Sequence, residues 1–166
     1  MTREEWLNLA SAYAIRHIES SANVQLQTNV RFSCGFPGGR GTGLKAIGQC
    51  WPVEASADQT AEIFISPILS DGMAVLGTMV HELVHAIVGC KHGHKAPFKR
   101  VAEASGLTGK MTSTTETDQL KETMRGWLVA LGDYPHAALS MVGRKKQSTR
   151  RSMQVDGQDS EEEGEE

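Results

Sequence analysis

The side chains best suited to chemistry lie within five residues, in the segment His81-Glu82-Leu83-Val84-His85. On a helix, residues four apart point the same way one turn apart, so both imidazoles can reach one metal ion. Glu82 would lie beside that ion without binding it. A carboxylate there can take a proton from a metal-activated water as general base and return it to the leaving amine as general acid. The pattern is typical of zinc metallopeptidases and predicts hydrolysis of peptide bonds.

A third ligand must come from elsewhere, and the residues offer three candidates. His92 misses the metzincin spacing by one position, as does Gly89, and one residue turns a helix by about 100°. Glu103 could serve as in peptidases whose third ligand is a later glutamate. His94 lies between a glycine-rich turn and a predicted helix. Spacing alone does not choose between His92 and His94.

A further histidine, His136, follows Tyr134 and Pro135, shortly before the charged C-terminal segment. An imidazole can stabilise the oxyanion that forms during peptide hydrolysis if folding brings it to the site. His136 is therefore a candidate for that role.

Helical and strand periodicities predict the elements that must position these side chains. The central helix begins at Ser70 or Asp71, which can cap it, and ends at Gly89. The other predictions are helices over 3–20, from Pro97 to before Gly106 and over Asp118–Leu131, strands over Val30–Pro37, Leu44–Trp51 and Ala61–Pro67, and an extended or loop segment over Met111–Glu116.

Two features refine the arrangement of these elements. In the third strand Ile63 and Ile65 alternate with Glu62, Phe64 and Ser66, which indicates one buried face. Pro67 lacks a backbone N–H and favours an edge position for the end of that strand.

Composition predicts one ordinary globular domain, since 39% of the 166 residues are hydrophobic and 22% are charged. The sequence has no apolar run long enough for a membrane span and no signal-peptide pattern, so we expect a cytoplasmic protein. Its three cysteines form no C-x-x-C pair. In a reducing compartment each is expected to be a small buried residue and not half of a disulfide. A monomer is favoured.

Charge separates the last residues from the rest of the chain. Arg144–Arg151 holds five basic residues, and Asp156–Glu166 holds seven acidic ones. Such blocks bury too little apolar surface to offset the entropy of ordering, which predicts a domain over residues 1–143 and a disordered tail over 144–166. The basic run could contact DNA phosphates, in which case salt would weaken binding, or it could be a solvated linker.

The segment TMVHELVHAIVGCKHGHKAPFKRVAEASGL resembles the SprT-like (Spartan-related) zinc metallopeptidase family, and AIGQCWPVEASADQTAEIFISPIL and LTGKMTSTT extend the likeness. The resemblance covers about residues 1–143 and is closest to small bacterial and phage members. In that family a Gly-His pair followed by three residues and Phe supplies the third zinc ligand. Here the pattern is Gly93-His94-Lys95-Ala96-Pro97-Phe98, which assigns the role to His94 and makes His92 a loop residue.

The resemblance also implies a fold and a substrate class. The fold is α+β: a compact zincin-type domain in which a short three-stranded sheet packs on the His81–His85 helix and further helices. An edge strand above the metal would bind an extended substrate, and Ala61–Pro67 is the best candidate. Proteins associated with DNA are the implied substrates.

The chain departs from many relatives at its C-terminal end. Where they carry a zinc ribbon with C-x-x-C pairs, this sequence has the basic run and the acids, which puts recruitment to DNA in doubt. The alternative function is therefore a nucleic-acid-associated binding or regulatory protein with a zinc site and little peptidase activity. The retained Glu82 disfavours that alternative, because a structural zinc site has no use for the carboxylate.

Overall fold

A computed structural model describes residues 1–39 and 45–140. This part of the chain contains four α-helices and five β-strands. In chain order they are α1 (Arg3–Ala22), β1 (Asn29–Cys34), β2 (Gly48–Trp51), β3 (Thr60–Ile65), α2 (Gly72–Val88), α3 (Ala96–Ala104), β4 (Leu107–Lys110), β5 (Ser113–Glu116) and α4 (Asp118–Leu131). The predicted class of mixed helices and strands is confirmed.

The main sheet has three strands in the order β1-β3-β2. β3 pairs in parallel with β1 and antiparallel with β2. Ile63 and Ile65 on β3 are fully buried, as the alternating pattern predicts, and Phe32 on β1 packs in the same core.

The edge position predicted for the strand of Ala61–Pro67 is wrong, because β3 is the central strand of this sheet. The physical reason is that the paired segment ends at Ile65, so the missing N–H of Pro67 falls outside the ladder. Outside the sheet, the carbonyl oxygen of Pro67 accepts a hydrogen bond from the Leu139 N–H. The edge strand beside α2 is β2.

Helix α2 lies against the sheet and holds the first two histidines of the motif. The side chain of Asp71 accepts a hydrogen bond from the Ala74 N–H and caps the helix, as expected for one of the two predicted caps. Val80, Leu83 and Val84 are fully buried. The helix ends at Gly89, where a φ of 98° suits a residue without a side chain.

Helix α1 closes the other side of the core, packing on β1 and α2. A capping box fixes its start, because Thr2 and Glu5 each bond the backbone N–H of the other. Its buried face follows the predicted helical spacing and comprises Trp6, Leu7, Ala10, Ser11, Ala14, Ile18 and Ala22.

A second, two-stranded sheet between α3 and α4 was not predicted as a hairpin. The extended prediction for Met111–Glu116 agrees with β5, whereas β4 was missed. β4 has one buried residue, Leu107, followed by three exposed ones. A strand with so little apolar alternation gives no periodic signal.

No helix in the two described ranges is long and apolar enough to cross a membrane. The predicted tail and its possible DNA contact through Arg144–Arg151 lie outside the described residues, as do positions 141–143 of the predicted domain. Those predictions stay predictions.

Candidate metal centre

Three histidine rings converge beside α2. Their ligand nitrogens all lie within 4.8 Å of one another. The Nε2 atom of His94 is 3.3 Å from Nε2 of His81 and 3.1 Å from Nε2 of His85. These three residues are therefore close enough to hold one metal ion.

The other two candidates for a third ligand lie outside this group. Glu103 is exposed on α3 and approaches Lys99 at 3.8 Å. His92 ends the short 3-10 turn of Cys90–His92 and is half-buried. Of the alternatives that spacing left open, the structure brings His94 to the two helix histidines.

Two glycines bring His94 back over the helix. Gly89 ends α2 and Gly93 ends the 3-10 turn, with φ values of 98° and 53°. Such positive values favour glycine because a side chain would clash with the backbone. The chain reverses between them, and α3 begins at Ala96, two residues beyond His94.

The spacing of the nitrogens fits a tetrahedral ion. Nitrogens about 2.0–2.1 Å from such an ion lie about 3.3 Å apart, close to the 3.1 and 3.3 Å separations measured from His94. Imidazole nitrogens suit zinc, copper, iron and nickel, whereas calcium and magnesium prefer oxygen ligands. The donor set thus fits a transition metal.

Phe98 forms the apolar support beneath the three imidazoles. Its ring centroid is 5.0 Å from that of His81, 4.4 Å from His85 and 5.0 Å from His94. The side chain is fully buried on α3. Phe98, the last residue of the Gly93–Phe98 motif, therefore packs against all three histidines and restricts how their rings can tilt.

A hydrogen bond from the second sheet orients one of these rings. Nδ1 of His81 is 2.8 Å from Oγ1 of Thr114 on β5. With its hydrogen on Nδ1, the ring donates to this hydroxyl and leaves the lone pair of Nε2 free for a metal. Thr114 is thus a positioning residue for His81.

Burial keeps the three imidazoles neutral. Burial, followed by the charge of His94, lowers the pKa of His81 to about 4. Burial, followed by the charges of His81 and His94, lowers the pKa of His85 to about 3. The pKa of His94 is also lowered by burial. Neutral rings are the form that binds metal, so protons compete weakly at neutral pH.

Glu82 lies on the buried side of α2, with 7% of its surface exposed. Burial, followed by the charge of Cys90, raises the pKa of this carboxyl to about 8. Strand β2 passes directly over it, since a Cβ at Gly48 would lie 2.8 Å from Oε1 of Glu82. A dication nearby would favour the ionised form of this side chain.

An open cleft of about 550 Å³ joins these groups. The three histidines and Glu82 line it together with two walls from different sheets. One wall is the edge strand β2 with the preceding Lys45, and the other is the hairpin segment from Thr112 to Glu116.

His136 does not line this cleft. Its Nε2 is 2.7 Å from the Pro67 carbonyl and its Nδ1 is 3.1 Å from a guanidinium nitrogen of Arg3. Both ring nitrogens are therefore engaged in holding the chain after α4 against the body of the protein. The structure therefore does not bring His136 to the cleft, where the suggested oxyanion role would require it.

Thr114 and Gly48 are the site residues that sequence reasoning missed. Neither stands in a motif, and each reaches the site only through a long-range contact. A faint signal existed for Gly48, because a glycine within a strand often marks a close approach of other atoms.

No family model, no curated protein and no solved structure matches the chain. The likeness to SprT-like peptidases therefore rests on the sequence motifs alone.

Proposed function

We propose that the protein is a zinc-dependent endopeptidase. One observation carries this proposal: three imidazole nitrogens converge in an open cleft that also contains the carboxyl group of Glu82. A structural zinc site is usually closed by four protein ligands. Three ligands in a cleft leave a position for water and substrate, which is the arrangement that hydrolysis needs.

A bound zinc ion would supply Lewis acidity and a water of lowered pKa. The protein's own side chains would bind the ion and transfer protons. His81, His85 and His94 would hold the ion as neutral imidazoles. Glu82 would accept a proton as general base and deliver it to the leaving amine as general acid.

The surroundings of Glu82 suit proton transfer in both directions. A carboxyl group whose pKa lies near neutrality, as burial makes it here, can both accept and donate a proton close to the working pH. The backbone of Gly48, close to the Glu82 carboxyl group, restricts where that side chain can lie.

Strand β2 is the best candidate to bind substrate. It is an edge strand of its sheet and lines the cleft beside Glu82. An extended peptide could add to this edge through main-chain hydrogen bonds, which depend little on the substrate's side chains. The zincin-type fold implied by the SprT-like resemblance uses an edge strand in this way, and here the role moves from β3 to β2.

Proteins associated with DNA are the substrate class that the resemblance suggests. The basic run Arg144–Arg151 would supply the phosphate contacts. If cleavage depends on DNA, it should therefore decline steeply as salt rises.

The deciding experiment compares wild type with Glu82→Gln, which keeps the size of the side chain but cannot ionise. Both proteins are loaded with zinc and incubated with an unfolded protein and with a DNA-bound protein. We expect cleavage by wild type, loss of cleavage by at least about a hundredfold in Glu82→Gln, and equal zinc content. If both are inert on every substrate while binding DNA, the regulatory alternative replaces the peptidase.

A further inference from the structure

Two of the three cysteines meet beside the cleft. The Sγ atoms of Cys50 and Cys90 are 3.5 Å apart although the residues are 40 positions apart in sequence. Both thiols are free, both are half-buried, and both line the same cleft as the histidines. The cysteines are free, as expected, but they are half-buried where buried residues were expected.

Regular elements hold the two sulfurs in place. Gly48 packs on α2, and Cys50 lies two residues further along β2, so its side chain points to the same face of the strand. Cys90 follows Gly89, where α2 ends. The Sγ atom of Cys90 also lies 3.6 Å from the carbonyl oxygen of Cys50. The contact is thus built by the packing of β2 on the end of α2.

The two thiols differ in acidity. The hydrogen bond that they share, together with burial, raises the pKa of Cys50, and the same hydrogen bond lowers the pKa of Cys90. Cys90 is therefore the sulfur that ionises first. Thiolates and not thiols are the nucleophiles in sulfur chemistry.

We propose that Cys50 and Cys90 are a redox-active thiol pair, which a peroxide converts into an intramolecular disulfide. The Cys90 thiolate attacks one oxygen of hydrogen peroxide, and the O–O bond breaks. The leaving hydroxide takes up the proton that the thiol released on ionising, so a sulfenic acid and water result. The Cys50 sulfur then attacks the sulfenic sulfur, the S–O bond breaks, and a second water leaves as the S–S bond forms. Two thiols lose two electrons in total, and the peroxide gains them.

Forming this disulfide requires only a small movement of the two Sγ atoms. A disulfide bond is about 2.05 Å long, so the sulfurs must approach by about 1.5 Å from their 3.5 Å separation. The resulting bond would join the edge strand β2 to the turn that leads to His94. It would fix one wall of the cleft to the segment that carries the third histidine.

The test uses the full chain, treated with hydrogen peroxide and then digested without reductant. We expect the number of titratable thiols to fall from three to one, the intact mass to fall by two hydrogen atoms, and a peptide pair joined through Cys50 and Cys90. Dithiothreitol should restore all three thiols. The oxidised protein should also melt several degrees higher than the reduced protein, because the link closes a long loop.

Matched cysteine variants make the outcome specific. Cys34 lies on β1, separated from β2 by the central strand, so Cys34→Ser should form the same disulfide. Cys50→Ser has no resolving thiol, so excess peroxide should oxidise Cys90 past the sulfenic acid to a sulfinic acid, which dithiothreitol does not reduce. The proposal is overturned if wild-type Cys90 also oxidises irreversibly without forming the link, or if the product is a disulfide between two chains. Glu82→Gln should be oxidised like wild type, so the result is independent of peptidase activity.

Discussion

Gly48 lies so close to Glu82 that the strand and the helix leave no room for a side chain between them. A Cβ at position 48 would be 2.8 Å from Oε1 of Glu82 and 2.5 Å from a methyl carbon of Thr78. Gly48, Thr78 and Glu82 all line the cleft. The position of the carboxyl group is therefore set by a strand that is remote from it in sequence.

Substituting Gly48→Ala should displace the Glu82 carboxyl group without touching a metal ligand. We expect zinc content to stay unchanged and kcat to fall by about tenfold or more, because a displacement of about 1 Å at a reacting group can cost a hundredfold. Zinc analysis and cleavage kinetics on the same preparation measure the two effects. Gly126→Ala is the matched control, since a Cβ there meets nothing within 4 Å. Equal kcat values for the two variants would show that Gly48 does not position Glu82.

Replacing His94 should remove the metal, whereas replacing His92 should not. His94 completes the cluster with His81 and His85, and His92 lies outside it on the same turn. We expect His94→Ala to lose most of its zinc and His92→Ala to keep it, measured by elemental analysis after dialysis. Loss of zinc in His92→Ala alone would contradict the assignment.

The hydroxyl of Thr114 should tune the affinity for metal. Thr114→Val keeps the shape of the side chain but cannot accept the hydrogen bond from His81. Loss of such an outer partner typically weakens metal binding by about 10- to 100-fold, and a competition titration with a chelator measures this. Thr115→Val, at the exposed neighbouring position of the same strand, should bind zinc like wild type. Equal affinities of all three proteins would leave Thr114 without a positioning role.

The local elements could be predicted from the sequence far better than their arrangement. The helix predicted from about Asp118 to Leu131, with its end marked by Gly132 and Pro135, agrees with α4. The structure adds that Thr117 caps its start. The cap at Asp71 and the first two histidines followed from the same local rules.

The features that could not be predicted from the sequence depend on contacts between residues far apart in the chain. The central position of β3 is fixed by pairing with a strand on each side. Pro67 predicted an edge position for this strand, but the residue lies just beyond the paired segment and does not affect the ladder. The contacts of Thr114 with His81 and of Cys50 with Cys90 join segments 33 and 40 positions apart. No local pattern encodes such pairings, and resemblance alone favoured His94 over His92.

The metal-free protein should lose stability in acid through the half-buried His81 and His85. The folded chain keeps His81 and His85 neutral down to about pH 4 and pH 3, whereas the unfolded chain protonates them below about 6.5. The unfolded state therefore binds more protons in this window, and the free energy of unfolding decreases as pH falls. Each proton contributes about 1.4 kcal/mol per pH unit.

Glu82 should act in the opposite direction. Its pKa of about 8 in the folded state exceeds the value of 4.5 for an exposed glutamate. The folded state holds the extra proton between these values, so the free energy of unfolding decreases as pH rises through them. We expect the stability of the metal-free protein to peak near pH 6.5 and to decline towards pH 8.

Denaturant unfolding at several pH values, with chelator present, measures this profile. Glu82→Gln should abolish the decline above pH 6.5, and His85→Gln should flatten the acid side. Unchanged profiles in both variants would mean that these groups do not titrate as described.

The three histidines lie within 13 positions of one another, whereas Gly48 reaches Glu82 across 34 positions and Thr114 reaches His81 across 33. Short loops close in roughly 10–100 ns, and long-range strand pairing is far slower. During folding the metal-binding unit can therefore assemble before the walls of the cleft exist. In the proposed peptidase, a nascent chain would therefore bind its metal first and gain the ability to cut last, once the surrounding sheet is complete.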